Sequence, residues 1–255
     1  MKESDTWWLT KNVSRKWDWW NTIEKDCETK FPKFSDTLIL NDNIIYQETP
    51  VFKEYHNKSV LVIGGGDSVN DMDWETLNGY DYVWSVNHFF LHPVLKDIKM
   101  DLVMMMAEPD LNHSKWIKYR DTHRPYVGFE VSTKWTKYDF DDYDKYFCMH
   151  THYYSLLGAC TRMIIFACEL GASVVDFVGM DGYKSIKEGK HGFQPGKTNL
   201  PGSLHKFQGM DPNQVFRCEY QLFWELIIEN YPDVEINNLG GGEEYHKRLM
   251  YRNTV

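Results

Sequence analysis

The chain has 255 residues, of which 42% are hydrophobic and 25% are charged, values that are ordinary for a soluble globular protein. Its formal net charge of −9 disfavours broad, non-specific binding to nucleic acid, because neutralising phosphates requires a basic surface. No run approaches the roughly 20 apolar residues of a membrane span, and the charged N-terminus lacks the apolar segment of a secretory signal. The length is sufficient for one large domain or two small ones.

The cysteines point to a reducing compartment. They contain no CxxC pair and are odd in number. The five are Cys27, Cys148, Cys160, Cys168 and Cys218. Three of them stand in apolar surroundings, as free core thiols do, so the sequence predicts a cytoplasmic protein.

Residues 1–57 differ from the rest of the chain and are predicted to form an N-terminal extension that packs on the core. This region contains five tryptophans among charged residues: Trp7, Trp8, Trp17, Trp19 and Trp20. The alternative is an arm that binds the acceptor or joins copies of the chain. Within it, TLILNDNIIYQ at residues 37–47 predicts a hairpin with Asn-Asp-Asn as its turn.

From Ser59 onward, short apolar runs alternate with helical stretches. Seven runs predict strands that are buried on both faces: SVLVIG, YVWSV, DLVMMMA, PYVGF, KYFCM, VVDFVG and VEINN. Predicted helices cover Asp71–Leu77, Leu111–Arg120, Ser155–Leu170 and Asn213–Asn230. Gly171 is a typical stop for the third. The alternation predicts one domain over residues 58–255, with a Rossmann-like, mostly parallel sheet and flanking helices.

The first of these strands runs into a bare glycine turn, Gly64, Gly65 and Gly66. Glycine permits backbone conformations closed to other residues and lets a ligand approach the main chain. Asp67 or Ser68 could cap the helix that follows, whose N–H groups attract phosphate. The alternative is a plain tight turn between strand and helix. The turn is no dinucleotide fingerprint, since Val69 stands where the third glycine belongs.

Polar residues follow three further strands at the same predicted edge of the sheet. The second strand ends in Asn87 and His88, the third leads to Glu108, and the sixth leads to Asp181 and Tyr183. In a parallel α/β sheet, ligands bind outside the carboxyl ends of the strands. Each polar group alone could be loop solvation, but together they predict a site.

Two segments of the chain resemble a known family. Gly64 to Ser68 is followed by Asp73, Trp74 and Leu77, and Asn87 by two aromatics. Further on, Leu170-Gly171 precedes Gly179-Met180-Asp181-Gly182-Tyr183. Over residues 59–90 and 155–183 the sequence resembles glycosyltransferase family 42, bacterial sialyltransferases that use a CMP-activated sugar without a metal. The resemblance implies a GT-A-like core and a nucleotide-sugar donor, with Asn87 touching that donor.

The same segments also resemble the 6-hydroxymethylpterin diphosphokinase-like family. That resemblance keeps a diphosphokinase or other phosphotransferase open as an alternative. Such an enzyme needs Mg²⁺, for which Glu108, Asp110 and Asp181 could supply oxygen ligands. A non-catalytic nucleotide-binding module is the other alternative.

Residues 184–212 are rich in Gly, Pro, Lys and His and are predicted to form a lid over the site. The segment holds five lysines, including Lys197, against two acids, which suits a phosphate-bearing ligand. His191 and His205 are the candidates for a base near neutral pH, with His205 preferred because a predicted helix follows it. The alternative is a solvated loop with incidental histidines.

Together these features predict a glycosyltransferase that moves a sugar from a nucleotide-sugar to a hydroxyl acceptor, with no required cofactor or metal. The acceptor is a glycan, or alternatively a hydroxymethylated base in DNA. The residues predicted to hold the donor are Gly64, Gly65, Gly66, Asp67, Ser68, Asn87, His88, Glu108 and Lys197. Those predicted to act in catalysis are His205, His191, Asp181 and Tyr183, the last stabilising the departing phosphate.

Overall fold

The computed structural model describes residues 38–40, 44–45, 54–105, 111–130, 142–144, 146–150, 159–181, 192–193 and 231–240. Within these ranges, the strands are β1 (Leu38–Leu40), β2 (Ile44–Ile45), β3 (Ser59–Ile63), β4 (Tyr82–Val86), β5 (Leu102–Met105), β6 (Tyr126–Glu130), β7 (Tyr146–His150), β8 (Val174–Val178) and β9 (Glu235–Asn238). Each of the seven predicted apolar runs forms a strand.

The strands form one sheet in the order β2-β1-β7-β6-β5-β4-β3-β8-β9. Neighbours pair in parallel except for β1 and β2, which pair antiparallel. The predicted Rossmann-like, mostly parallel α/β fold is therefore confirmed. The central strands are buried on both faces, as expected for a parallel sheet covered on each side: all of β5 is buried, and so is β3 from Val60 onward.

Two α-helices lie among the described residues, α1 (Ser114–His123) and α2 (Ala159–Glu169). The first begins three residues later than predicted, because the His113 ring accepts a hydrogen bond from the Lys115 N–H and caps it there. The second packs against β3, β4 and β8. It stops before Gly171, which has a φ of +80° and donates its N–H to the Cys168 carbonyl, as predicted.

The helix predicted over Asp71–Leu77 is wrong in type. Residues 67–79 instead form two short 3₁₀ helices, Asp67–Asn70 and Trp74–Gly79, and only the second overlaps the predicted helix. The break follows from local hydrogen bonds, since the Asp73 carboxylate accepts from the Glu75 N–H and starts the second helix. Further 3₁₀ helices cover Asn87–Leu91 and Leu95–Asp97. The helix predicted over residues 213–230 lies outside the described residues.

The hairpin predicted near the N-terminus is present. In β1 and β2, Leu40 pairs with Ile44, and on its other side β1 pairs with β7. The five tryptophans lie outside the described residues, so the division at residue 57 stays a prediction. Among the described residues, no helix has the length and apolar character that crossing a bilayer requires.

Candidate functional site

The strand order marks one place in the sheet where a ligand is expected. From β3 the chain adds β4, β5, β6 and β7 on one side, then returns to place β8 and β9 on the other. In open α/β sheets, ligands bind in the crevice that such a reversal opens beyond the carboxyl ends of the two strands. Here the crevice lies between the segment after β3, Gly64–Ser68, and the segment after β8, Gly179–Asp181.

These two segments are joined by reciprocal hydrogen bonds. The Gly64 N–H donates to the Val178 carbonyl and the Gly66 N–H donates to the Gly179 carbonyl, both at 2.8 Å. In return, the Gly179 N–H donates to the Ser68 hydroxyl at 3.0 Å. The polar backbone of the turn is thus engaged by the protein itself.

Close packing explains why glycine is needed at Gly64 and Gly66. A Cβ at Gly64 would lie 2.6 Å from the Gly179 carbonyl oxygen and 2.9 Å from the Cys160 sulfur. A Cβ at Gly66 would overlap Oδ2 of Asp181, although its φ of −74° is open to any residue. The observed contacts are those of a tight turn between strand and helix. Approach of a ligand to the turn stays a prediction.

Asp181 takes the position that the sequence predicts for an anion. Its Oδ2 accepts the Ser68 N–H at 2.7 Å, so this donor is not available to a phosphate. The predicted capping by Asp67 or Ser68 is also wrong: Gly66 is the cap residue of the first 3₁₀ helix, with no side-chain cap bond. The short helix therefore presents its Ser68 N–H to an internal carboxylate.

The Asp181 carboxyl is electrostatically unusual. Burial raises its pKa above the ordinary range, the two bonds from Ser68 lower it, and the charges of Asp67 and Asp71 raise it further. Its second oxygen, Oδ1, is buried without a hydrogen-bond partner in the described part of the chain. A buried carboxyl with a raised pKa in a crevice is a candidate for acid–base work, and its catalytic role stays a prediction.

Two more glycines, which the sequence analysis did not single out, close around the turn. Gly192, inside the predicted lid, donates its N–H to the Gly65 carbonyl at 2.8 Å. Gly240 follows β9, and a Cβ there would lie 2.5 Å from the Ser68 hydroxyl and 3.0 Å from Oδ1 of Asp181. The run Gly240–Gly242 in the sequence is the signal that could have marked this approach.

The carboxyl end of β4 lies beside that of β3. There Ile63 pairs with Ser85, and the Ile63 carbonyl accepts a hydrogen bond from the Ser85 hydroxyl at 3.0 Å. The structure therefore brings Asn87 and His88 to the same edge as the glycine turn, as predicted. Both are half-buried, and Asn87 has a φ of +47°. Left-handed backbone at a non-glycine residue is uncommon and is concentrated at functional sites.

Buried aromatic residues anchor the segment Asn87–Leu91 in the core. Phe89 contacts Tyr119 edge to face with ring centroids 4.7 Å apart, and Phe90 packs 5.7 Å from Trp116 of α1. Because Phe89 and Phe90 are in the core, the two preceding residues are held at the surface of the crevice.

The remaining predicted site residues are outside the described residues. They are His191, His205, Tyr183, Glu108 and Lys197. Within the described ranges, no group of three or more His, Cys, Asp or Glu side chains is arranged to hold a metal ion.

No protein-family model and no curated protein sequence matches the chain. Solved structures do resemble it. Monofunctional α-2,3-sialyltransferase Cst-I from Campylobacter jejuni aligns with 12% identity and a TM-score of 0.50, over 80% of this chain and 80% of that one. A variant of the sialyltransferase CST-II in complex with CMP aligns with 14% identity and a TM-score of 0.50, over 72% of this chain and 82% of that one. At these identities the likeness shows the fold: the chain shares the GT-A-like α/β architecture of these sialyltransferases.

Proposed function

We propose that the protein is a glycosyltransferase that moves a sugar from a nucleotide-sugar donor to a hydroxyl acceptor. One observation carries the proposal: the β3, β4 and β8 ends bring Asn87, His88 and Asp181 to the switch-point crevice, where α/β folds bind ligands. The sialyltransferase-like architecture is consistent with this reading. The CMP held by one of the similar structures makes a cytidine donor the first to test.

The donor is proposed to lie on the β4 side of the crevice. Asp181 already accepts the Ser68 N–H, and Asp67 adds a second carboxylate beside it, so the glycine turn disfavours a phosphate. Asn87 and His88 offer hydrogen-bonding side chains at the neighbouring strand end. Tyr183 and Lys197, the latter in the basic segment 184–212, are proposed to stabilise the leaving phosphate in place of a metal.

For the base we propose His191 rather than His205, which the sequence prefers, because the residue that follows His191 is bonded at the glycine turn. Gly192 is bonded to the Gly65 carbonyl at 2.8 Å, and consecutive Cα atoms are about 3.8 Å apart. This bond supports a base tethered at the crevice. Removing a positioned base is expected to cost roughly 10²–10⁴-fold in turnover.

The matched pair His191→Ala and His205→Ala tests this order. We expect the first to lose at least about a hundredfold in turnover with donor affinity unchanged, and the second to lose less. The reverse order would return the assignment to His205. A loss of turnover in Asp181→Asn, with neither histidine variant affected, would assign the base to Asp181.

The proposed function is tested by incubating the pure protein with a panel of CMP-, UDP- and GDP-sugars and measuring release of the nucleotide. A glycan acceptor and a DNA duplex containing hydroxymethylated bases are added in separate arms. We expect release from one donor class, with faster release in the presence of the correct acceptor. Absence of binding and release across the whole panel would refute the proposal.

Metal independence is tested in the same assay. We expect turnover in excess EDTA to equal turnover with Mg²⁺. Loss of activity on chelation, restored by Mg²⁺, would instead indicate a metal-dependent transferase or phosphotransferase.

A further inference from the structure

A chain of hydrogen bonds leads from the core to the glycine turn. His92 is buried, with only 3% of its surface exposed, and its Nδ1 lies 3.2 Å from both the Val94 and the Leu95 backbone nitrogens. Backbone N–H groups can only donate, so Nδ1 must be an acceptor and carries no proton. In the neutral ring the proton is then on Nε2, which lies 3.2 Å from Oδ1 of Asn70.

This tautomer fixes the orientation of the Asn70 amide. Because Oδ1 accepts from His92, the amide nitrogen faces the other way, and it donates to Asp67 twice: to the carbonyl at 3.1 Å and to carboxylate Oδ1 at 3.0 Å. The Trp74 ring lies edge-on to His92 and donates its N–H to the Val69 carbonyl. The relay thus runs in one direction, from backbone to His92 to Asn70 to Asp67.

The relay ends at an exposed carboxylate in the switch-point crevice. Asp67 directly follows the glycine turn and is exposed to solvent, whereas Ser68 and Val69 after it are buried. A carboxylate offers about four acceptor positions, so the bond from Asn70 fixes it without exhausting it. With the Asp181 carboxylate at the same turn, the local charge is negative and favours a ligand's hydroxyl groups over its phosphates.

We propose that Asp67 accepts a ribose hydroxyl of the nucleotide, and that His92 is a positioning residue that aims Asp67 through Asn70. The inference rests on the proposed function, because it concerns the ribose of the nucleotide-sugar donor. The neutral Asn70 amide donates to both the carbonyl and the carboxylate of Asp67, so it orients the carboxylate without itself adding a positive charge.

Two substitutions of His92 separate its two bonds. In His92→Asn, the side-chain oxygen can replace Nδ1 as the acceptor for Val94 and Leu95, but nothing replaces the Nε2–H donor. In His92→Gln, the amide nitrogen can replace Nε2 and keep the bond to Asn70, while the backbone acceptor is lost. Asn70→Ala breaks the same relay at an exposed position, where folding is expected to be unaffected.

The measurement is the affinity of each variant for nucleoside monophosphates by calorimetry. The probe is whichever of CMP, UMP, GMP and AMP binds the unaltered protein best, together with its 2′-deoxy and 3′-deoxy forms. We expect Asp67→Asn to weaken binding of the ribonucleotide about 10- to 100-fold. His92→Asn and Asn70→Ala should weaken it about 3- to 10-fold, and His92→Gln should bind nearly as well as the unaltered protein.

The deoxynucleotides distinguish a loss of the bond between Asp67 and the ribose hydroxyl from a general loss of nucleotide affinity. For the deoxy form that lacks the contacted hydroxyl, all variants should bind like the unaltered protein, because the interaction is already absent. Equal losses for ribo- and deoxynucleotides, or no loss in Asp67→Asn, would overturn the inference while leaving the glycosyltransferase proposal intact. Failure of the unaltered protein to bind any nucleotide or nucleotide-sugar would overturn the proposed function itself, and the inference with it.

Discussion

The two neighbouring strands β3 and β4 reach the same edge of the sheet but end in opposite ways. After β3 the chain makes a turn of three glycines whose backbone groups bond to Val178, Gly179 and Gly192 of the same protein. After β4 it presents two half-buried polar side chains, Asn87 and His88, on a backbone in which Asn87 is left-handed.

We interpret the β3 end as framework and the β4 end as the candidate contact surface for a ligand. At the β3 end, side chains are excluded because other backbone segments need their space, so the glycines hold the crevice together. At the β4 end, side chains are displayed because Phe89 and Phe90 anchor the segment in the core. We therefore expect changes at Gly64 and Gly66 to act mainly on stability and changes at Asn87 and His88 mainly on binding.

The largest expected effect is that of Gly66→Val. Sequence reasoning alone predicts a folded variant that fails to bind nucleotide. The added side chain would overlap the Asp181 carboxylate, so we expect the free energy of unfolding to fall by about 3 kcal/mol or more. The control is Gly79→Val, since a Cβ at Gly79 meets nothing within 4 Å. Urea denaturation curves that give equal midpoints for both variants would contradict the framework role.

The next effect concerns Asn87, where two substitutions separate side chain from backbone. Asn87→Ala and Asn87→Gly both remove the amide, and each should weaken nucleotide binding by about 1–3 kcal/mol. Only alanine must also adopt the left-handed conformation, which costs roughly 1 kcal/mol in stability. Calorimetry and thermal unfolding measure the two quantities. Unchanged affinity in both variants would remove Asn87 from the site.

A smaller effect is expected for Asp181→Asn, which keeps an acceptor for the Ser68 N–H. Burial raises the pKa of Asp181, so the native state binds more protons than the unfolded state above pH 3.9, the ordinary pKa of Asp. The stability of the unaltered protein should therefore fall as the pH rises through this window. Asp181→Asn has no buried carboxyl to ionise, so this variant should be at least as stable as the unaltered protein at pH 7. Marked destabilisation there would mean that the carboxylate holds the turn as an anion.

The smallest expected effect is the acid sensitivity of His92. Burial lowers its pKa below the ordinary value of about 6.5, so the unfolded state binds more protons in the window below that value. Stability should be lost as the pH falls below about 6.5, by at most about 1.4 kcal/mol per pH unit. Unfolding curves between pH 5 and 8 should show a shallower slope for His92→Asn. An identical slope would mean that the ring accepts a proton without disturbing Val94 and Leu95.

Local pattern predicted much of the fold. The runs Val60–Ile63 and Leu102–Met105 are apolar throughout, and in a chain of alternating strands and helices such runs are central strands of a parallel sheet. Gly171 ends its helix, as a glycine placed after an apolar helical run predicts. From parallel pairing it also followed that Asn87 and Asp181 lie at one edge.

The sequence by itself determined approximately where the strands lie and which polar residues follow them, because apolar content and periodicity are properties of neighbouring residues. Only the tertiary structure decided which groups form hydrogen bonds with the glycine turn and the residues that follow it. Ser68 and Asp181 are 113 residues apart, and no local pattern records that one donates to the other. The relay from His92 to Asp67 was hidden for the same reason, since a buried histidine shows its tautomer and its partner only when the fold has brought them together.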